Sequence, residues 1–199
     1  MTPGGECEAK GSNFTALIDA MVALYGRRAP IAIGRELKGP VAELLRTDLI
    51  NEGMWYPVSM YRELHRAAEA VAGESVAREL GRIATKVLLS RSYRVFARII
   101  GPQTSWRHSA KFFRSFYRPG DVEVLDARRG RVRARLTGCV GFDERVWDDV
   151  IGSMCGVIEV SGGREPQPEP GGLQGGRAES TKRQRRHRNI HTNLVFVVG

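Results

Sequence analysis

The spacing of apolar residues changes at Pro119-Gly120, and this change is the strongest constraint on what the chain can fold into. Upstream, apolar side chains recur every three or four residues, as in Tyr61, Leu64 and Ala68, which is the period of an α-helix. Downstream, two short runs alternate apolar with charged residues, which is the period of a β-strand. The sequence therefore predicts an α+β fold, with an N-terminal helical bundle packed with a small C-terminal antiparallel sheet that one helix crosses.

The segment after this change predicts a hairpin, a helix and a third strand. Residues 122–136 have the alternation and the central turn of an antiparallel hairpin. Asp143 is placed to cap the next helix, whose exposed face would carry Asp149. Gly156 is expected to end that helix, so that residues 157–160 form the third strand.

Composition divides the chain into three parts. Residues 1–10 contain Gly and Pro and almost no apolar side chains, which predicts a flexible lead-in. Residues 11–163 have the apolar content of one α+β domain. Residues 164–199 begin with a Pro- and Gly-rich stretch and continue into a basic run, which predicts a disordered basic tail. No element is assigned to the apolar segment that closes the sequence.

The net charge of +9 is concentrated in that tail. Five positive charges lie close together in the sequence, and removing them leaves +4 on the rest of the chain: Lys182, Arg183, Arg185, Arg186 and Arg188. The basic character therefore belongs to the tail rather than to the predicted domain.

Several classes of protein find no support in the sequence. No apolar run approaches the roughly 18 residues of a membrane span, and the N-terminus lacks the apolar core of a signal peptide. Three cysteines at unrelated spacings predict neither a disulfide framework nor a metal site. A cytoplasmic location is therefore expected. No GxSxG, HExxH or P-loop motif occurs, so a noncatalytic function is favoured.

His65 is the central candidate for a ligand-binding residue. It shares the apolar face of its predicted helix with Tyr61 and Leu64, and Trp55 stands just before that helix. A neutral imidazole on such a face can bind a ligand, because its lone pair faces a dry interior. The alternative is a histidine at the edge of the core, hydrogen-bonded to a neighbour. We predict a pocket for an apolar small molecule between this helix and the sheet, lined by these four residues.

A nucleic-acid interface is the main alternative function. The helix predicted around residues 106–118 interleaves aromatic rings with Arg107, Lys111 and Arg114, a mixture that single-stranded nucleic-acid binders use. The basic run of the tail would add phosphate contacts, so binding would weaken steeply with salt. The same aromatic spacing is also that of an ordinary amphipathic helix. A purely structural interaction module is the third hypothesis.

Three segments of the sequence form a set: Met54-Trp55-Tyr56-Pro57-Val58 at a helix start, Phe116 to Gly120 before the hairpin, and Thr137-Gly138-Cys139 leading through Gly141-Phe142 and Trp147 to Gly156-Val157-Ile158-Glu159. This set resembles an uncharacterised protein family that is frequent in myxobacteria. More distantly, it is similar to the superfamily of four-vinyl reductase and haem-nitric-oxide-binding domains. The resemblance covers residues 11–163 and implies helices packed on a small antiparallel sheet around a ligand pocket. It thereby favours a small-molecule-binding or sensory domain.

Two departures separate this chain from the haem-binding members of that superfamily. Those members carry a Tyr-x-Ser-x-Arg motif that holds the haem propionates, whereas Ser92-Tyr93-Arg94 has the residue types in a different spacing. The resemblance therefore argues against haem, and the cofactor is left unassigned. The final strand of the family would fall at residues 177–181, where the sequence turns basic, so the sheet is expected to be incomplete.

Overall fold

The structure is a computed structural model that describes residues 5–92, 109–128, 131–160, 167–168 and 192–197. Within these ranges there are seven helices: α1 (Gly11–Tyr25), α2 (Ala29–Glu36), α3 (Pro40–Arg46), α4 (Val58–Ala72), α5 (Ala77–Ser92), α6 (Ser109–Arg114) and α7 (Glu144–Val160). The seven strands are β1 (Glu8–Lys10), β2 (Trp55–Pro57), β3 (Tyr117–Arg118), β4 (Asp121–Arg128), β5 (Arg131–Thr137), β6 (Gln167–Pro168) and β7 (Thr192–Val197). The predicted α+β class is confirmed.

Two small antiparallel sheets accompany the helices. One has the strand order β2-β1-β3, and the other has the order β4-β5-β7-β6. The predicted hairpin is the β4–β5 pair, in which Val122 is opposite Leu136 and Glu123 is opposite Arg135. Val122 and Leu136 are buried, whereas Glu123 is exposed, so the alternation in the sequence marks the core side of the sheet.

The first strand lies before the predicted domain boundary at residue 11. Residues 8–10 form β1, which pairs with both β2 and β3, and Cys7 and Ala9 are fully buried. The Cys7 amide donates to the carbonyl of Val140, and its thiol donates to the carbonyl of Pro119 at 3.0 Å. The prediction of a flexible lead-in over residues 1–10 is therefore wrong for this segment, because two buried side chains and a strand ladder hold it.

The segment predicted as a disordered tail supplies a strand to the larger sheet. Residues 192–197 form β7, which pairs antiparallel with β5 from Arg131↔Val197 to Leu136↔Thr192. The prediction of disorder is wrong for these residues, because their backbone forms a strand ladder with β5. Residues 177–181, where the final strand of the similar family would fall and the sheet was expected to be incomplete, lie outside the described residues, as does the basic run at 182–188.

Residues 157–160, predicted as a third strand, are the last turn of α7, and Gly156 does not end the helix. Asp143 does cap this helix, because its Oδ1 accepts from the amide of Val146 at 3.1 Å. Gly156 has a packing role instead of a terminating one: a Cβ there would lie 2.7 Å from the carbonyl oxygen of Arg82 on α5. In a sequence, a glycine that lets two helices pack closely cannot be distinguished from a glycine that ends a helix.

Helices α5 and α7 meet at two further glycines, one on each helix. A Cβ on Gly152 would lie 1.8 Å from the carbonyl oxygen of Arg78, and a Cβ on Gly81 would lie 2.1 Å from that of Asp149. The Ser153 hydroxyl also donates to the Gly81 carbonyl at 3.3 Å. Glycine at these positions lets the two backbones touch, which fixes the depth of α7 against α5.

Buried side chains from the helices and from the hairpin form one hydrophobic core, and Phe14, Leu17, Leu64, Leu136 and Ile158 are among its fully buried members. Among the described residues, no helix is both long enough and apolar enough to cross a membrane.

We predict that Gly152→Ala destabilises the protein strongly. The added methyl group overlaps the Arg78 carbonyl, and overpacking of this kind costs about 1–3 kcal/mol or more. Gly34→Ala is the matched control, because Gly34 is also helical and nothing lies within 4 Å of its added Cβ. The control should be neutral or stabilising by up to about 1 kcal/mol. Urea denaturation measures both, and equal free energies of unfolding for the two variants would contradict the close helix contact.

We further predict that removal of residues 189–199 loosens β5. This truncation keeps the basic run and deletes the strand whose backbone pairs with β5. Amide hydrogen exchange should therefore become faster in β5, while the amides of α1 keep their protection. Unchanged exchange in β5 would show that β7 does not pair there.

Candidate functional site

His65 lies in the middle of α4, on the face that packs into the core. Its exposed fraction is 0%, as is that of Leu64, and Tyr61 one turn earlier is 2% exposed. The rings of Tyr61 and His65 meet edge to face with their centroids 4.7 Å apart. The predicted position of His65 on an apolar helical face is therefore what the structure has.

Asp149 on α7 faces His65 from the opposite helix. It is 2% exposed, and its Oδ1 lies 3.6 Å from His65 Nε2. The contact of its backbone with Gly81 holds this part of α7 against α5. A carboxylate is thereby held next to an imidazole in the interior of the protein.

Two tyrosines complete the group. Tyr117 on β3 is 6% exposed, and its hydroxyl donates to Asp149 Oδ2 at 3.1 Å. The Asp149 carboxylate also acts on Tyr61, whose pKa it helps to raise, and the ring centroids of Tyr61 and Tyr117 are 6.5 Å apart. We call Tyr61, His65, Tyr117 and Asp149 the polar cluster. It joins three elements, α4, α7 and β3.

An ion pair lies one helical turn away, where α4 and α7 approach the surface. Arg145 Nε donates to Glu69 Oε2, and Arg145 Nη1 lies 3.4 Å from Asp143 Oδ2. Since Glu69 follows His65 by four residues and Arg145 precedes Asp149 by four, the two helices run antiparallel here. The outer pair therefore closes the interface of α4 and α7 beside the polar cluster.

Burial controls the charge states in the polar cluster. It lowers the pKa of His65 to about 3, helped by the nearby charge of Arg145. Burial also raises the pKa of Asp149 to about 7, although the nearby hydroxyls of Tyr117 and Tyr61 oppose this rise. The pKa values of both tyrosines are raised well above 10, by burial and by the carboxylate of Asp149. At neutral pH the imidazole of His65 is therefore uncharged, while the Asp149 carboxyl group is near the midpoint of its titration.

The imidazole of His65 has no hydrogen-bond partner among the described residues. This holds for both Nδ1 and Nε2, and the distance of 3.6 Å from Nε2 to Asp149 Oδ1 exceeds hydrogen-bond distance. A buried polar atom without a partner costs about 1–3 kcal/mol. The alternative interpretation from sequence was a core histidine hydrogen-bonded to a neighbour, and no described residue is that neighbour. What the arrangement offers is a neutral nitrogen donor and three oxygen-bearing groups in a dry interior.

Only two of the four residues of the polar cluster were predicted from the sequence as ligand-binding residues. Of the four predicted lining residues, Tyr61 and His65 belong to the polar cluster and Leu64 packs beside it in the core. Trp55 is half-buried on β2, where the guanidinium of Arg118 stacks 4.4 Å above its ring. No described contact of Trp55 reaches the cluster.

Asp149 was expected on the exposed face of its helix, and this prediction is wrong. It follows Val146 by three residues and directly precedes Val150, and all three are buried. Its position among the apolar residues of the helix was the feature of the sequence that could have indicated its burial. Tyr117 was expected on a helix but lies on β3, where it pairs with Ala9. The sequence offered no signal for that pairing, because a two-residue strand has no period to detect.

The residues of the nucleic-acid hypothesis are mostly outside the described ranges. Lys111 is exposed on α6, and Arg114 pairs with Asp121 at 3.2 Å. The remaining candidates fall on residues that the structure does not describe: Arg107, Lys182, Arg183, Arg185, Arg186 and Arg188. Nothing in the described part of the chain favours this alternative.

Comparison with known proteins shows similarity in fold but not in sequence. The sequence matches no protein-family model, and no curated protein matches it. An H-NOX protein from K. algicida in the Fe(II) unliganded state has a TM-score of 0.63 at 12% identity, covering 96% of each chain. An H-NOX protein from S. oneidensis in the Fe(II)NO state has a TM-score of 0.64 at 12% identity, covering 96% of this chain and 99% of that one.

An oxygen-binding H-NOX domain related to soluble guanylate cyclases is also similar, with a TM-score of 0.59 at 11% identity over 95% of this chain and 94% of that chain. At such low identity these similarities concern the fold alone. The chain therefore has an H-NOX-like fold, which agrees with the distant resemblance found in the sequence.

The residues around His65 do not fit haem. Iron in haem needs an open face beside the ligating nitrogen, and the Asp149 carboxylate stands 3.6 Å from Nε2. Asp149 has little room to withdraw, because its backbone touches Gly81. The nearby cation, Arg145, is already paired with Glu69 and Asp143. Together with the absent propionate motif, this donor arrangement assigns no haem to His65.

We predict opposite pH profiles for two variants of the polar cluster. The folded protein holds a proton on Asp149 up to about pH 7, whereas the unfolded chain holds one on His65 up to its ordinary pKa of 6.5. Between about pH 4 and 6.5 the folded and unfolded states therefore bind nearly equal numbers of protons at these two residues. The pair then contributes little to the change of the free energy of unfolding with pH. His65→Phe leaves only Asp149, whose folded state binds the extra proton, so stability should fall with rising pH relative to wild type. Asp149→Asn leaves only His65, whose folded state binds fewer protons, so stability should rise.

Urea denaturation across this range measures both profiles. Taking differences from the wild type removes the contribution of all other groups. Because each unit of pKa shift is worth about 1.4 kcal/mol, the two profiles should diverge by more than about 2 kcal/mol. Parallel profiles would show that the two groups do not titrate as a buried pair.

Proposed function

We propose that this chain is a noncatalytic sensory domain that binds a small molecule at the polar cluster of Tyr61, His65, Tyr117 and Asp149. The observation that carries the proposal is the fully buried imidazole of His65, neither of whose nitrogens has a hydrogen-bond partner in the part of the chain that the structure describes. Proteins satisfy most buried polar groups, and the exceptions concentrate at functional sites. A ligand that bonds to His65 would remove the energetic cost of its unpaired nitrogens and would thereby stabilise the folded protein.

The fold supports a sensory function. The similar solved structures are H-NOX proteins, of which one is described as oxygen-binding and another is in a state ligated by NO. We extend to this chain the general role of a small-molecule sensor, without the haem. Its ligand would contact the interior cluster directly.

The position of the cluster suits the transmission of a signal. Its members belong to α4, α7 and β3, so a ligand held there would alter the contacts of all three elements at once. The outer ion pair of Glu69 and Arg145 spans the same two helices and would respond to any change in their spacing. Burial of the four side chains suits a ligand that is retained rather than one that is turned over.

Thermal denaturation of the full chain, refolded from urea in the presence of defined probes, tests this proposal. The probes are nitric oxide, haem, a metal-free tetrapyrrole, a long-chain fatty acid and ferric citrate. A ligand present at about 100 times its dissociation constant adds about 2.7 kcal/mol, which raises the melting temperature by about 5–10 °C. At least one probe should produce such a shift, and the shift should disappear in His65→Phe.

Ala70→Gln is the matched control, because Ala70 lies on the exposed side of the same helix. It should keep the whole shift. If no probe stabilises the protein, or if His65→Phe responds as strongly as the wild type, the proposal is wrong.

A further inference from the structure

We propose that the polar cluster is a binding site for a single ferric ion, held directly by His65 Nε2, the Asp149 carboxylate and the phenolate oxygens of Tyr61 and Tyr117. This inference rests on the proposed function, because it names the ligand of the same site. Taken alone, the described His, Cys, Asp and Glu residues contain no group of three that could hold a metal. The donor set becomes complete only when the two tyrosines are counted.

Two distances in the cluster, both measured to the Asp149 carboxylate, match those of donors around one ion. Nitrogen and oxygen ligands of first-row metals lie roughly 2.0–2.2 Å from the ion, so neighbouring donors at tetrahedral or octahedral angles are about 2.8–3.6 Å apart. His65 Nε2 is 3.6 Å from Asp149 Oδ1, and Tyr117 Oη is 3.1 Å from Asp149 Oδ2. The first distance is too long for a hydrogen bond but lies within the range for two atoms that share an ion.

The identity of the ion follows from charge and from donor type. When the ion binds, both phenols lose their protons and Asp149 is ionised, which gives three negative charges beside a neutral imidazole. A trivalent cation makes the site neutral, and neutrality matters because all four side chains are buried. Phenolate and carboxylate oxygens are hard donors, and imidazole is a common ligand of iron.

The site is also positioned by rigid neighbours. Asp149 is held by the backbone contact with Gly81, and Tyr117 is held by the pairing of β3 with β1. Tyr61 and His65 are one turn apart on α4, with their rings in contact. Because the cluster is enclosed, loading is expected during folding.

The test uses the full chain loaded with iron by two routes. In one, the protein is purified from cells grown with added ferric citrate; in the other, it is unfolded in urea and refolded with ferric citrate. After gel filtration, elemental analysis should find one iron per chain. The sample should also show a visible phenolate-to-iron charge-transfer band and no porphyrin band.

Substitutions assign the band to its ligands. Tyr61→Phe and Tyr117→Phe should each weaken the band and shift its energy, and the double variant should lose it together with the iron. Tyr25→Phe is the matched control, since Tyr25 is 41% exposed at the end of α1 and should change neither. Circular dichroism verifies folding, and if the double variant does not fold, the two single variants decide the assignment.

Three outcomes would overturn the ferric site. They are no bound iron by either route, iron that remains unchanged in the tyrosine variants, and iron that is present only as haem. Zinc sulfate in parallel refolding gives a further check, because zinc bound in preference to iron would also overturn it. If the ferric site is overturned, a rise in melting temperature that another probe produces and that depends on His65 would still support the proposed function. If no probe raises the melting temperature, both the ferric site and the proposed function are wrong.

Discussion

The backbone contact between α5 and α7 is the constraint on which the rest of the structure depends. Gly81 and Gly152 let the two helices touch without an intervening side chain, and this contact fixes the position of Asp149 on α7. The Asp149 side chain then faces His65 on α4 and Tyr117 on β3. A side chain at either glycine would push α7 outwards, and the carboxylate would move with it.

The interior that results is unusual in its polarity. Asp149 receives a hydrogen bond from Tyr117, but no described residue hydrogen-bonds His65, although both side chains are buried and the His65 ring packs against that of Tyr61. A protein selected for stability alone would fill such a position with an apolar side chain, because an unsatisfied imidazole lowers the free energy of unfolding. The outer pair of Glu69 and Arg145 encloses the cluster on one side. Together these features describe a site whose polar groups are arranged for a ligand.

The sequence predicted the parts of this fold that have a clear period. The amphipathic helices and the hairpin were found because their apolar residues face one core. The end of α7 was missed because Gly156 serves a close helix contact, and β7 was missed because its partner is distant in sequence. His65 was found on its helical face, but Asp149 was assigned to solvent since charged residues usually lie there. Its position on an apolar stripe was the stronger indication.

The central claim is that His65 and Asp149 hold a ligand between them rather than bond to each other. The most direct measurement is a high-resolution crystal structure of the full chain, with attention to the distance from His65 Nε2 to Asp149 Oδ1. We predict density that does not belong to the protein, bonded to both groups, with the two atoms still about 3.6 Å apart. A direct hydrogen bond of about 2.9 Å with nothing between the two side chains would contradict the account.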